Sequence, residues 1–174
     1  SIRSCQKEIA RQIDKGDYDV VFIHPCQYTQ APYLLRYLNT PSVFFCQEPY
    51  RFAHEEILKK AVMGRWMRLL ATPYIKVIKT IDMTNAGHST LILTNSYYSH
   101  EAIQKAYGLN SSVNYLGIDT DKFRPYRLEK ERMVLSVGWY HWAKGFRFII
   151  RAISMIRKQD RPRFVIIGGR YNGV

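Results

Sequence analysis

In Val134-Leu-Ser-Val-Gly-Trp-Tyr-His-Trp-Ala-Lys-Gly-Phe146 an apolar run stops at Gly138, a short loop reaches Lys144 and Gly145, and a helical pattern follows at once. A short apolar run bounded by glycine reads as a buried strand. Strand, glycine turn, lysine and helix start together suit a phosphorylated ligand. The helix N-terminus offers N–H groups without intrahelical partners and the positive end of a dipole, and Lys144 adds a mobile full charge. The plain alternative is a solvated lysine. A cation at a helix start is mildly misplaced, however, because it faces the positive dipole end, and a bound anion would remove that conflict.

Outward from this stretch, a helical pattern runs from Gly145 to about Lys158 and a strand follows at Phe164–Ile167. Upstream, strand-like runs at Val20–Ile23, Ser42–Cys46, Leu91–Thr94 and Val113–Leu116 alternate with helical segments at Ile2–Lys15, Ala31–Leu38, 54–90 and Ser99–Tyr107. Thr72-Pro73 is expected to interrupt the longest helical segment. Gly108 closes the last one. Strands alternating with helices argue for an α/β fold with a parallel sheet covered on both faces.

The chain has 174 residues, 47% of them hydrophobic, which suits one full domain and part of another. It opens on Ser1 inside a helical pattern and ends just after an apparent strand, so both ends are expected to be cut. The net charge of +12 attracts anionic lipid, nucleic acid or phosphorylated ligands without choosing among them. No RNA-binding motif, basic tail or helix-turn-helix spacing accompanies it, so nucleic acid is not an expected partner. Cys5, Cys26 and Cys46 are widely spaced, with no CxxC pair. An odd count without a secretory signal favours reduced thiols and a cytoplasmic location. No metal-ligand spacing is visible, and neither a metal nor another cofactor is expected. No apolar run is long enough to span a bilayer.

Leu91-Ile-Leu-Thr-Asn-Ser96, a helix, Gly117-Ile-Asp-Thr-Asp-Lys-Phe-Arg-Pro125, the Val134–Gly138 strand and the Lys144-Gly145 pair occur in this order. In order, spacing and residue type they resemble the middle of a family 4 glycosyltransferase, a retaining nucleotide-sugar enzyme of the GT-B fold. The resemblance covers about residues 19 to 170. It implies two Rossmann-like domains: an acceptor-side domain over 1–125 whose first strand lies outside this sequence, a linker at 126–132, and the opening of a nucleotide-sugar-binding domain over 133–174. It implies a nucleotide-sugar donor, which is a substrate, and a glycan or lipid-linked acceptor, as in polysaccharide or glycolipid synthesis. The family's Glu-x7-Glu donor motif belongs farther along and is absent here, so the 174 residues are not expected to be competent alone. The runner-up is a catalytically degenerate binding or scaffold subunit at the membrane surface.

The resemblance assigns Gly138, Lys144 and Gly145 to the donor diphosphate. The family has arginine directly after this glycine, where the chain has Trp139. His141 and Arg147 are the nearby residues that would compensate, and Trp139 would stack on a sugar or base or pack at the cleft. On the acceptor side the resemblance points to Phe44-Phe-Cys-Gln-Glu-Pro-Tyr-Arg51, similar to a Cys-His-Glu-Pro stretch in a subgroup of the family. Gln47 stands in the histidine position; it hydrogen-bonds a hydroxyl but cannot take its proton. Glu48 is read either as capping a helix, with Pro49 starting the turn, or as orienting an acceptor hydroxyl. Arg51, His24, Asn95 and Ser96 complete the acceptor-side candidates, all near the C-terminal ends of strands, where open α/β sheets bind ligands. Ser96 or Ser99 also reads as a helix N-cap. Asp119 and Asp121 read as turn residues.

Leu58, Val62, Trp66, Leu69 and Leu70 share a helical face flanked by Lys60, Arg65 and Arg68. Two readings stand: a core-facing helix with a wet basic side, or a basic amphipathic surface for an anionic membrane. The second makes the protein peripheral on the inner face of a membrane.

Overall fold

The computed structural model describes residues 1–126 and 129–169. These fall into two compact units, Ser1–Ile118 and a second beginning at Asp119. The expected linker at 126–132 includes Arg127 and Leu128, and the expected donor-side segment includes 170–174; those residues lie outside the described ones.

The first unit is α/β. Its elements run α1 (Ile2–Asp14), β1 (Val21–Ile23), a 3-10 turn at Tyr33–Arg36, β2 (Ser42–Phe45), α2 (Arg51–His54), α3 (Glu56–Val62), α4 (Arg65–Ala86), β3 (Leu91–Thr94), α5 (Tyr97–Tyr107) and β4 (Ser112–Val113). The four strands form one wholly parallel sheet in the order β1-β2-β3-β4, flanked by helices and compatible with a Rossmann-like arrangement. Short β-branched and aromatic runs such as Ser42–Phe45 suit strands covered by helices. Phe44, Ile92, Ile23, Leu35, Ile103 and Tyr107 make the core. Burying such side chains contributes about 1.5–3 kcal/mol each.

Four details depart from the sequence reading. The helix through Thr72-Pro73 is not interrupted, since α4 is continuous over 22 residues with Pro73 inside it. Pro73 lies on an exposed face, where water can reach the carbonyl that the missing N–H leaves unpaired. The breaks fall instead at Glu55 and at Met63-Gly64, where the backbone is extended. Ala31–Leu38 shrinks to a 3-10 turn of four residues behind Pro32. The strand expected over Val113–Leu116 ends at Val113 after a last bond from the Asn114 N–H to the Thr94 carbonyl.

The second unit contains β5 (Met133–Val137), a 3-10 turn at Trp142–Lys144, α6 (Phe146–Ser154), a 3-10 turn at Lys158–Asp160, and β6 (Arg163–Ile167), parallel to β5. α6 stops at Ser154, short of Lys158, and Arg161 satisfies carbonyls at and just past its end, donating to Ser154 O at 2.8 Å and Ile156 O at 3.1 Å. None of the described residues of this unit is fully buried; Val137 and Phe148 are 71% and 76% exposed. Two strands and one helix have too little apolar surface to close a core. Asp119 turns the chain as expected, its Oδ1 accepting from the N–H groups of Asp121 and Lys122.

Candidate functional site

In the second unit the geometry is set by glycine. Gly168 approaches the C-terminal end of β5 so closely that a Cβ there would lie 1.8 Å from the Gly138 carbonyl oxygen. The Gly138 N–H donates to Ile167 O and the Tyr140 N–H to Gly169 O, so the pairing continues past both strands. The chain then turns through the Trp142–Lys144 segment to Gly145, whose φ of 71° is left-handed and suits glycine. α6 starts there with no side-chain cap. The Lys144 side chain folds back over Gly138, with its Cγ, Cδ and Cε 3.8–3.9 Å from where a Gly138 Cβ would stand. Gly138, Lys144 and Gly145 thus meet at the C-terminal edge of the β5–β6 pair, beside an uncapped helix N-terminus. Chemically this is a place for an anion.

His141 has a local task there. Its Nδ1 accepts from the Ala143 N–H at 3.3 Å and its ring lies against Trp142, so it shapes the loop that presents Lys144. Trp139 and Arg147 are both exposed.

In the first unit a cavity of about 390 Å³ brings together Gln47, Glu48, Arg51, Asn95 and Ser96. Sequence reasoning missed Glu55, Tyr98 and Ser99, which also line it. Ser96 is the N-cap of α5, accepting from the Ser99 N–H, while Asn95 Oδ1 accepts from the Ser96 and Ser99 hydroxyls. Glu48 does not cap α2, whose N-cap, Tyr50, has no side-chain bond; its carboxylate lies 3.8 Å from Arg51 instead. Arg51 also makes a two-pronged pair with Glu55, at 2.7 and 3.0 Å. With two carboxylates around its one cation, this cavity suits a neutral hydroxyl-bearing ligand better than an anion. His24 is not part of it: its ring packs edge-on against Phe22 and Phe45, and it lines a different cavity with Gln6 and Leu34.

The loops that build this cavity are tied to α4 by polar residues that sequence reasoning passed over. Asp82 is fully buried. It accepts from the Ala31 N–H at 2.9 Å, the Tyr50 N–H at 3.3 Å and the Tyr107 hydroxyl at 2.6 Å. One turn on, Asn85 donates to Ala31 O at 2.7 Å and accepts from Arg36 Nε. Asp82 and Asn85 thereby hold both backbone polar groups of Ala31 in the β1–β2 connection, and Asp82 also holds the start of α2. Gln30 next door donates to Glu48 O at 3.0 Å. Burial raises the Asp82 pKa against the pull of its three donors. The Tyr107 pKa is pushed up by burial and by Asp82, and burial with Asp82 carries Cys46 up to about 12. A polar pair three residues apart on an otherwise apolar helical face was the available signal.

His54 sits edge-on to Tyr107, its side chain 7% exposed, with Nε2 at 3.9 Å from Asp82. That distance is too long for a hydrogen bond, and Nε2 has no partner. Burial first, then Lys79 and Lys59, lowers its pKa to about 4, so it is neutral at pH 7. The unfolded chain takes up this proton near pH 6.5 and the folded chain only near 4. Stability should therefore fall as pH drops through that window, by up to about 3 kcal/mol from this group. Urea midpoints measured between pH 7 and pH 4 check this. His54→Gln should flatten that part of the profile, and an unchanged slope would show that His54 is not its source.

Among the described residues no group of three His, Cys, Asp or Glu side chains converges as a metal site would, and no helix is long and apolar enough to cross a membrane. No protein-family model matches the chain, and no curated protein sequence matches it.

Proposed function

We propose that the protein is a retaining glycosyltransferase of GT-B type that moves a sugar from a nucleotide donor to a glycan or lipid-linked acceptor. The observation that carries this reading is the meeting of Lys144, Gly138 and the uncapped start of α6 at the C-terminal edge of β5 and β6. A departing nucleoside diphosphate gains negative charge as the sugar bond breaks, and a held cation with unpaired N–H groups stabilises that charge. The cavity with Gln47, Asn95 and Ser96 has the hydroxyl-binding chemistry an acceptor needs. Gln47 would hydrogen-bond the attacking hydroxyl; in a retaining enzyme of this kind the proton passes to the donor phosphate, so no histidine is required. Trp139, where the resemblance calls for arginine, favours the second reading, a degenerate subunit that binds without turning over.

Both readings are tested by supplying the intact protein, including the segment that would carry the Glu-x7-Glu motif, with a panel of nucleotide sugars and a glycan or polyprenyl acceptor. Release of nucleoside diphosphate with sugar transfer supports the enzyme. Binding of nucleoside diphosphates without transfer supports the subunit. Neither binding nor transfer removes both.

A membrane surface is the proposed location. Of the five residues expected on one face, Leu58 is half-buried on α3, whereas Val62 at the end of α3 and Trp66, Leu69 and Leu70 on α4 are exposed, Trp66 at 78% and Leu70 at 81%, so the core-facing expectation fails for these four. The core side of α4 is Ile75, Asp82, Asn85 and Ala86 instead. Arg65 lies one turn before Leu69, so a basic side chain edges the apolar stripe as on interfacial helices. The protein should sediment with anionic vesicles and less with neutral ones. Arg65→Glu should weaken this at low salt, each basic residue near the surface contributing about 1 kcal/mol. Trp66→Ala should weaken what remains at high salt and leave the fold intact. Wild-type sedimentation by both variants would remove this face from the membrane.

A further inference from the structure

On the other side of α4 from Trp66 lies a cavity of about 250 Å³, floored by Ala53 and Ile75 and walled by Glu56, Lys59, Arg68, Lys76 and Lys79. Four cations and one carboxylate face it. Glu56 is engaged with Lys59 at 2.6 Å. Arg68 acts on Glu56 only through the field, and Arg68, Lys76 and Lys79 make no ion pair within 4 Å among the described residues. One nitrogen is in an unusual state: Arg68 Nε is buried, with no hydrogen-bond partner. An N–H left unpaired in the interior costs free energy, and native structures keep few of them. The same positive field helps Lys79 and Lys59 keep His54 neutral.

We infer that this cavity between α2, α3 and α4 binds a phosphate group, whose oxygens pair with the Arg68 guanidinium and with Lys59, Lys76 and Lys79. Phosphate fits better than carboxylate for two reasons. With Glu56 counted the walls carry three net positive charges, matched by a phosphomonoester of nearly two negative charges and poorly by one. A guanidinium with flanking ammonium groups matches three outward oxygens, whereas a carboxylate presents two. The site is separate from the cavity at Gln47 and does not depend on sugar transfer. Its phosphate is either a soluble phosphomonoester or the headgroup of an anionic lipid.

The test is binding by the whole chain, using glycerol 3-phosphate in calorimetry and vesicles of phosphatidylcholine with and without phosphatidic acid in sedimentation. Arg68→Met keeps the apolar stem and removes the donor, and Lys76→Met removes an exposed cation with no risk to the core. Each should weaken phosphate binding at least about tenfold, the scale of one lost charged hydrogen bond, while Lys105→Met outside the cavity should not. Saturable binding of glycerol 3-phosphate, lost in both variants, establishes the site with a soluble ligand. Binding only to phosphatidic acid vesicles, lost in both variants, establishes it with a lipid headgroup. Wild-type binding to both probes by folded Arg68→Met and Lys76→Met, or no binding of either probe by the wild type, overturns it.

Discussion

Asp82→Ala is expected to remove about 3–5 kcal/mol of stability, a large part of the total for a domain of this size. The carboxylate is fully buried and is the acceptor for three donors, the Ala31 and Tyr50 N–H groups and the Tyr107 hydroxyl. Alanine leaves all three without a partner in the interior, where each costs about 1–3 kcal/mol. The loss is larger than for an ordinary core truncation because two of the donors are backbone and cannot swing to water. Asp82→Asn keeps the shape and one acceptor oxygen but turns an NH₂ toward donors, so an intermediate loss is expected. Chemical denaturation of both variants checks the order. The loops carrying Gln30, Glu48 and Arg51 should loosen before the sheet does, visible as faster amide exchange at 26–31 and 48–51. An Asp82→Ala variant as stable as the wild type would mean that α4 does not hold these loops.

In the intact enzyme, Lys144→Ala should lower turnover by about a hundred- to a thousandfold if the protein transfers sugar, the loss seen when one stabilising donor is taken from a developing anion, about 2.7–4 kcal/mol. The fold should not suffer, because Lys144 is exposed and only its stem touches Gly138. Lys144→Met separates the two roles, since it retains the stem and loses the charge. Equal loss in both variants assigns the effect to the ammonium group, whereas rescue by methionine would assign it to packing over Gly138. Arg147→Ala should cost much less, because Arg147 is exposed on α6 beyond its first residue. Kinetics within twofold of wild type for Lys144→Ala, at limiting and saturating donor, would take Lys144 out of the site.

The parallel sheet was readable from local pattern because buried parallel strands are short apolar runs between helical segments, and Val43–Phe45, Leu91–Thr94 and Val134–Val137 are such runs. The Lys144-Gly145 start of α6 was readable for the same reason: a left-handed glycine and a helix start are written within a few residues. The grouping of Gln47, Asn95 and Ser96 followed from their places at strand ends in one parallel sheet. What needed the tertiary structure was the direction each side of α4 faces. Spacing alone puts Trp66 and Leu70 on one stripe, but whether that stripe meets the sheet or water depends on which other residues, here Asp82 and Asn85, satisfy the long-range partners Ala31, Tyr50 and Tyr107. The displaced helix breaks follow likewise, since Pro73 is tolerated where its side of the helix is wet. Residues far apart in the chain made the Asp82 clamp and the Arg68 cavity. Their energies come from burial and from unpaired donors, quantities that no stretch of sequence contains until the chain has closed around them.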